Sequence, residues 1–203
     1  LGKGPSARTV QLDLPPFTLV AATTRISLLS PPLRSRFSGG VHRLEFYSTD
    51  EIATIVHNSA GVLGVALDEK AAHEIAVRSR STPRTANYLL KRCRDTAQLD
   101  KTDITEGVVT ETMTRQGVDS LGLNDIDRQM LQVMIEKFKG GPVGLSTVAA
   151  AISEEAGTIE EVYEPYLLQQ GLIQKTPRGR IVTEAAYEHL GIELPDSHQK
   201  KLL

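Results

Sequence analysis

Residues 172–182 read LIQKTPRGRIV, and this stretch determines the architecture of the second half of the chain. Two short stretches with two apolar residues each, residues 172–174 and 180–182, flank a turn that contains Pro177 and Gly179. Apolar runs separated by a Pro/Gly turn of this length are typical of a β-hairpin. The hairpin lies near the end of a segment whose pattern is otherwise helical. The fold that it belongs to therefore depends on the helices before it.

Three helices are predicted in front of the hairpin. Asn124 caps a long amphipathic helix that stops at Gly140-Gly141-Pro142, and a shorter helix follows near residues 146–152. Thr158 with Glu161 is expected to cap the third helix, which runs to Gly171. Three helices followed by a hairpin predict a winged helix over residues 119–194, with residues 195–203 as a tail.

The middle of the chain, residues 48–118, has a helical period and is expected to form a small all-helical domain. The predicted helix starts are a capping box of Ser48 with Glu51, Asp68, Thr82 followed by Pro83, and Asp103 with Glu106.

Residues 1–47 have strand patterns instead. Phe17 to Ala22 is a continuous apolar run of the buried-strand type, and residues 41–46 alternate between apolar and polar side chains. We therefore expect this segment to supply strands to a sheet whose other strands lie outside the chain. The predicted fold class is α/β plus α.

Charge is spread unevenly over these three segments. Residues 1–46 carry six basic and two acidic groups, residues 47–118 nine and ten, and residues 119–203 eight and thirteen, which gives +4, −1 and −5. The whole chain has a net charge of −2. No overall basic field attracts nucleic acid or an anionic membrane, so a surface for nucleic acid must be local.

Composition excludes several other classes of protein. The single cysteine, Cys93, excludes a disulfide framework, and the five histidines are too scattered for a metal site. No apolar run approaches the ~18–20 residues of a membrane span, so we expect a cytoplasmic protein. The chain opens at Leu1 without Met on a turn-like Gly2-Lys3-Gly4 sequence, which we interpret as the interior of a longer protein.

Residues for acyl or glycosyl transfer are not evident. Such chemistry needs a nucleophile with its base, or paired carboxylates in a pocket. The paired glutamates at 154–155 and 160–161 stand at predicted helix starts, where they interact favourably with the helix dipole. Gly2-Lys3-Gly4 lacks the residues of a phosphate loop.

Seven motifs in order nevertheless resemble one family over nearly the whole chain, apart from the tail after Leu194. They are Pro5-Ser6-Ala7-Arg8, Leu14-Pro15-Pro16-Phe17-Thr18-Leu19, Ala22-Thr23-Thr24-Arg25, Arg43-Leu44-Glu45-Phe46-Tyr47, Thr82-Pro83-Arg84, Glu161-Val162-Tyr163-Glu164-Pro165-Tyr166 and Thr176-Pro177-Arg178-Gly179-Arg180. Together they are similar to the RuvB family of bacterial Holliday-junction branch-migration motors.

This resemblance implies an AAA+ ATPase with a large α/β nucleotide domain, a helical lid and a C-terminal winged helix on DNA. Residues 1–47, 48–118 and 119–194 then fall on the end of the first domain, the second and the third. The family binds ATP with Mg²⁺, and its phosphate loop and metal ligands lie upstream of residue 1. The chain is therefore expected not to hydrolyse ATP alone.

The resemblance also assigns nucleotide-site residues. Thr24 takes the sensor-1 position, and Arg36 matches the arginine finger that reaches the nucleotide of a neighbouring subunit in a homohexamer. Arg34 stands two residues away, and the residues alone leave the choice between the two arginines open. Arg84 matches sensor 2, and Tyr47 and Pro83 match the adenine pocket.

Two departures from the family pattern are Ser81 in place of glycine and one extra residue after Phe37.

Partner surfaces follow from the same resemblance. Lys175, Arg178 and Arg180 of the hairpin are expected to contact the phosphates of Holliday-junction or duplex DNA without reading bases, because the preceding helix is acidic. Val10 and Leu12 are expected to dock onto the junction-binding protein RuvA, with the RuvC resolvase as a further partner.

Two alternatives stay open at this point. The chain is either a motor fragment or a non-enzymatic winged-helix module that binds DNA or regulates transcription with a helical adaptor; a clamp-loader or initiator relative is a weaker third. The sequence upstream of residue 1 discriminates between them, because a phosphate loop and an acidic metal motif there favour the motor.

Overall fold

The computed structural model describes residues 14–37 and 39–195. The chain divides between Leu44 and Glu45 into two compact units, which are described separately. The described part of the first unit holds a short 3₁₀ turn, Ile26–Leu28, and one helical turn, α1 (Pro31–Arg34).

The strands expected near residues 17–22 and 41–46 do not form, and this prediction is wrong for the described chain. A strand is stable only when its backbone groups pair with a neighbouring strand, and neither the sheet nor the isolated β-bridges among the described residues include these segments. Their apolar side chains are exposed, including those of Phe17, Val20 and Leu44.

Four helices form the first part of the second unit: α2 (Thr49–Leu63), α3 (Glu69–Val77), α4 (Pro83–Asp100) and α5 (Glu106–Arg115). A short parallel bridge between Leu67 and Ile104 ties the loops before α3 and α5 together. The core between the helices is built from Ile52, Val56, Ile75, Leu89, Leu90, Cys93, Val109 and Met113. This confirms the predicted all-helical segment.

Three of the four helices in this part begin with a side chain that accepts a hydrogen bond from an amide of the first turn. The exception is α4, where Thr82 occupies the cap position without such a bond. Ser48 and Glu51 form the predicted capping box, and Asp68 accepts a hydrogen bond from the Ala71 amide at 2.6 Å. The expected start at Asp103 is wrong, because α5 begins two residues later with Thr105 as its cap. Ile104, between the two, is buried in the core and bridged to Leu67, which keeps the backbone there out of the helix.

The second part of the unit is the predicted winged helix. Its elements are α6 (Asp125–Glu136), α7 (Leu145–Ile152), α8 (Ala156–Thr158) leading into a π-helical segment (Ile159–Tyr163), α9 (Glu164–Gln169), β1 (Ile173–Thr176), β2 (Gly179–Val182) and α10 (Glu184–Leu190). The strands pair antiparallel with Ile173 opposite Val182, which confirms the hairpin. The core of this part is a separate cluster that includes Leu123, Met130, Leu131, Met134, Val148, Ile159, Leu167 and Tyr187.

The predicted cap at Thr158 is wrong. The helix already runs through Thr158, and Glu155 occupies the cap position before α8. The amide of Glu164 donates to the Ile159 carbonyl five residues back, and Pro165 beside it has no N–H to restore the usual ladder. The resulting wide turn leads directly to a buried Glu164.

A short segment before α7 packs flat against the hairpin. Val143 bridges to Arg180, and a Cβ on Gly179 would lie only 2.4 Å from the Val143 carbonyl oxygen. Glycine is therefore required at position 179, where φ is also +133°. Among the described residues, no helix is long and apolar enough to cross a membrane.

Candidate functional site

Arg34 and Arg36 lie at the end of α1. Arg34 is the last residue of the helix, and the Arg36 amide donates to the Leu33 carbonyl at 3.1 Å in the turn that follows. Both side chains are exposed, and neither makes a hydrogen bond or ion pair with another described residue. Each guanidinium is thus available to an anion from outside the chain.

Thr24 lies at a bend before the 3₁₀ turn and is exposed. Its neighbour Thr23 is engaged instead, because Thr23 Oγ1 accepts a hydrogen bond from the Arg25 amide at 3.0 Å. The Thr24 hydroxyl has no hydrogen-bond partner within the described chain, and it is free to hold a ligand or a water.

Arg84 lies in the first turn of α4, after Thr82 at the cap position and the half-buried Pro83. Its side chain is exposed and has no partner among the described residues. The first turn of α4 carries no acidic residue. A guanidinium beside the positive end of a helix dipole, with no carboxylate nearby in the turn, suits a phosphate group. Tyr47, which precedes the cap of α2, is half-exposed.

The loop before α4 explains one departure noted in the sequence. Ser81 has φ +54° and Arg80 has φ +56°, both in the left-handed region. This conformation costs a residue with a side chain about 1–2 kcal/mol, whereas glycine adopts it freely. Ser81 therefore stands at a position that favours glycine. The other departure, the extra residue after Phe37, involves Ser38, which lies outside the described residues.

Arg80 itself was not singled out by sequence reasoning. Its guanidinium pairs with Asp127, and its Nε donates to the Gly122 carbonyl oxygen at 2.9 Å. Both partners lie more than 40 positions further along the chain, in the winged helix. Only the position of Arg80 next to Ser81 and the Thr-Pro-Arg motif could have drawn attention to it.

The hairpin cations have unequal environments. Arg180 is buried and makes two hydrogen bonds to Glu164, one of them from Nη2 to Oε2 at 3.1 Å. Lys175 is half-exposed and bridges Glu160 and Glu164 at 3.1 and 3.2 Å. Burial raises the pKa of Glu164, but the hydrogen bonds from Arg180 and Lys175 outweigh it and lower the pKa below its usual value.

The three hairpin cations that are expected to contact DNA phosphates thus differ in exposure and in ion pairing. Arg180 is buried and paired with Glu164 of α9. Lys175 is half-exposed, and its ammonium group is paired with the carboxylates of Glu160 and Glu164. Arg178, at the turn between β1 and β2, is exposed and makes no ion pair with a described residue. Of the three, Arg178 is the one that is exposed and makes no ion pair within the described part of the chain.

Two further points concern the proposed partner-binding residues and metal binding. Val10 and Leu12 lie outside the described residues. Across residues 14–37 and 39–195, no group of three His, Cys, Asp or Glu side chains could hold a metal ion.

Comparison with known families covers almost the whole chain. Residues 1–44 match the "Holliday junction DNA helicase RuvB P-loop domain", residues 47–119 the "RuvB AAA lid domain", and residues 120–191 the "RuvB C-terminal winged helix domain". The three matches occur in this order and together leave out only the tail and two residues between the first and second.

Solved structures of Thermotoga maritima RuvB are similar to the chain. The structure described as its "Holliday junction branch migration motor" is 49% identical, with a TM-score of 0.76, and the match covers 83% of this chain and 57% of that one. Two point mutants of the same protein match with 49% and 50% identity, TM-scores of 0.80 and 0.79, and coverage of 92% and 89% of this chain and 62% and 60% of theirs. The chain thus spans less than two thirds of the length of these relatives. Its helical segment has the place of an AAA+ lid, its last domain is a winged helix, and the chain belongs to the RuvB family.

Proposed function

We propose that this chain acts as part of a motor subunit that uses ATP to drive branch migration of Holliday junctions in DNA recombination and repair. The observation that carries the proposal is the succession of three RuvB family matches along one chain. Its match to a P-loop domain in residues 1–44 favours the motor over a non-enzymatic winged-helix module.

The nucleotide roles are distributed over two parts of the chain. Arg36 acts as the arginine finger on ATP bound by a neighbouring subunit of a homohexamer, and Thr24 as sensor 1 holds the attacking water or the γ-phosphate. Arg84 contacts phosphate at the start of α4, with Tyr47 and Pro83 at the adenine. Substitution of Arg84 by Ala should weaken nucleotide binding in a fluorescent-nucleotide titration, and unchanged binding would remove this role.

We infer that the phosphate loop and the ligands of Mg²⁺ belong to the part of RuvB that this chain does not cover, since the match spans 57% of the Thermotoga protein. When bound, Mg²⁺ neutralises charge on the transferred phosphoryl group. The side chains of this chain contribute positive charge at Arg36 and Arg84 and a hydroxyl at Thr24.

DNA is contacted through the hairpin tip. The exposed guanidinium of Arg178 contacts a DNA phosphate, and Lys175, which is also paired with Glu160 and Glu164, contributes a weaker positive charge. Arg180 holds the hairpin against α9 through its hydrogen bonds to Glu164. A single contact per subunit gains strength when six subunits surround one duplex. Phosphate contacts of this kind carry no sequence information, as a motor that moves over any sequence requires.

Val10 and Leu12 remain the proposed docking residues for RuvA, with RuvC joining the same assembly in the bacterial cytoplasm. Replacing both residues by Glu should weaken RuvA association in a pull-down or by calorimetry without lowering thermal stability. A large loss of stability would instead show that these side chains belong to a core.

The arginine finger gives the sharpest test of the motor proposal. In the longer subunit, Arg36→Ala should lower ATP turnover by about 10³-fold or more while nucleotide binding is retained, because a finger acts on the neighbour's transition state. Arg34→Ala is the matched control, since it removes an equally exposed arginine from the same helix end, and it should retain turnover.

Mixed rings then test action between subunits. Combining Arg36→Ala subunits with subunits that lack the P-loop lysine should restore part of the turnover, because each ring then contains interfaces with an intact finger and an intact loop. Mixed rings without turnover, or loss of turnover in Arg34→Ala alone, would contradict the assignment of Arg36.

A further inference from the structure

We propose that Arg80 is a positioning residue that couples the nucleotide-responsive start of α4 to the winged helix, so that the two parts move as one body. This inference rests on the motor function proposed above. Its basis is a set of contacts between the loop 78–82 and the winged helix, which we call the Arg80 junction: Arg78, Arg80, Gly122, Asp127 and Tyr166.

Arg80 makes three different contacts, all with the winged helix. Its guanidinium pairs with Asp127, its Nε donates to the Gly122 carbonyl oxygen at 2.9 Å, and its Cζ lies 4.7 Å from the centroid of the Tyr166 ring. The three contacts fix the guanidinium plane from its edge and its face at once. Lysine could satisfy the charge but could not make all three contacts.

Asp127 is fixed within the winged helix and cannot shift independently of α6. Its side chain is fully buried, and it lies in the capping box of α6, where it accepts a hydrogen bond from the Asn124 amide at 2.9 Å. Separation from Arg80 would leave a carboxylate unpaired in a medium of low dielectric constant, which is strongly unfavourable. The pair therefore holds or breaks, with no intermediate position of low energy.

Tyr166 is held in the same way. Its hydroxyl donates to the Leu121 carbonyl oxygen at 2.6 Å while its ring packs against Arg80. This bond ties α9, the last helix before the hairpin, to the residues that Arg80 contacts. A displacement of Arg80 is thereby transmitted to α6 and to α9.

The backbones also meet at this junction. A Cβ built on Gly122 would lie 2.7 Å from the Arg78 carbonyl oxygen, so the two segments are in direct contact. The connection between lid and winged helix is itself pinned, because Arg128 donates to the carbonyl oxygens of Gly117 at 2.9 Å and Leu123 at 2.8 Å. Asp119 in this connection accepts hydrogen bonds from the amides of Leu121 and Leu123.

Arg80 stands four positions before Arg84. A phosphate that draws Arg84 and the start of α4 toward it moves the adjoining loop, and the loop carries Arg80 with its three partners. The winged helix and its hairpin then follow the lid. Without the Arg80 junction, ATP hydrolysis would move the lid while the DNA contact stays behind.

The first experiment measures rigidity and needs no ATP. Spin labels are placed on Val62 in the lid, 89% exposed, and Val162 in the winged helix, 56% exposed, after substitution by Cys in the full chain. The native Cys93 is fully buried, and burial raises its thiol pKa to about 11, so it will not be labelled. A single narrow distance distribution is expected, broadening at least twofold in Arg80→Ala.

Two further variants separate coupling from folding. Gly122→Ala should broaden the distance distribution, because the new Cβ would clash with the backbone of Arg78. Gly171→Ala is the matched control: its backbone is also left-handed, but its new Cβ would have no neighbouring atom within 4 Å, so the distribution should stay narrow. Arg94→Ala removes an arginine that pairs with Asp95 inside α4 and is the control for loss of charge. Circular dichroism checks that each variant keeps its helices.

The second experiment uses the longer motor subunit and measures ATP turnover and junction migration separately. Arg80→Ala should keep turnover within about threefold and reduce the migration achieved per ATP at least tenfold, with Arg80→Lys between it and the wild type. Unchanged migration per ATP in Arg80→Ala, or narrow distances in both Arg80→Ala and Gly122→Ala, would overturn the proposal. If the wild-type subunit hydrolyses no ATP, the motor function fails, and the distances still decide whether the Arg80 junction is rigid.

Discussion

At the scale of single residues, neighbours with the same charge have different roles because their surroundings differ. Arg178 and Arg180 stand two positions apart on the hairpin, yet one is exposed and the other is paired with the buried Glu164. Burial decides what each can do. A buried cation with a carboxylate partner stabilises the fold, and an exposed one is available to a ligand.

This contrast predicts opposite results for two similar substitutions. Arg180→Ala should lower the free energy of unfolding of the winged helix by about 1–3 kcal/mol, because the buried Glu164 loses both hydrogen bonds from Arg180 and keeps only the half-exposed Lys175 as a partner. Arg178→Ala should change it by less than about 0.5 kcal/mol. It should instead weaken binding to unrelated duplexes equally and reduce the salt dependence of that binding, the slope of log K against log salt concentration, by about 1. Urea denaturation and fluorescence anisotropy measure the two quantities. Equal losses of stability in the two variants would show that burial does not separate their roles.

At the scale of elements, the starts of α2, α3, α5 and α6 are each fixed by a side chain that accepts a hydrogen bond from an amide of the first turn. Asp68 caps α3 with a hydrogen bond of 2.6 Å, whereas Asp103 precedes α5 without capping it. Asp68→Ala should therefore cost about 1 kcal/mol of stability. Asp103→Ala, its matched control, should stay within about 0.5 kcal/mol in the same urea titration. A larger loss in Asp103→Ala than in Asp68→Ala would restore the start predicted from the sequence.

The elements that the sequence predicted correctly depend on neighbours in the chain. The capping box of Ser48 with Glu51 joins residues three apart, Asn124 caps the helix that directly follows it, and the hairpin needs only its own turn. The strand prediction for Phe17 to Ala22 is wrong because strand pairing depends on a partner far away in sequence, and none is present among the described residues.

The candidate site divides in the same way. Arg84, Arg36 and the hairpin arginines could be found from short motifs, because each motif lies within a few residues. The burial of Arg180 could not, since it depends on Glu164, 16 positions earlier, and on a π-helical turn near Pro165. The Arg80 pair with Asp127 spans 47 positions and has no local signal.

At the scale of the whole molecule, the chain after Glu45 has two separate cores joined by a junction of charged and backbone contacts. A core holds each domain together, and the junction determines whether one domain follows the other. A motor requires both properties, because a nucleotide bound near the lid can act on DNA only if the winged helix moves with it.

The assignment of this chain to an ATP-driven motor on four-way DNA junctions is open to a single kinetic measurement. It is the rate at which the longer subunit, together with RuvA, separates a synthetic junction into duplexes by branch migration. The rate is compared with and without ATP, for the wild type and for Arg36→Ala. We predict that the wild type separates the junction only with ATP, and that the rate is lower by about 10³-fold or more in Arg36→Ala. Wild-type rings that bind both ATP and the junction but separate it no faster with ATP would refute the motor assignment.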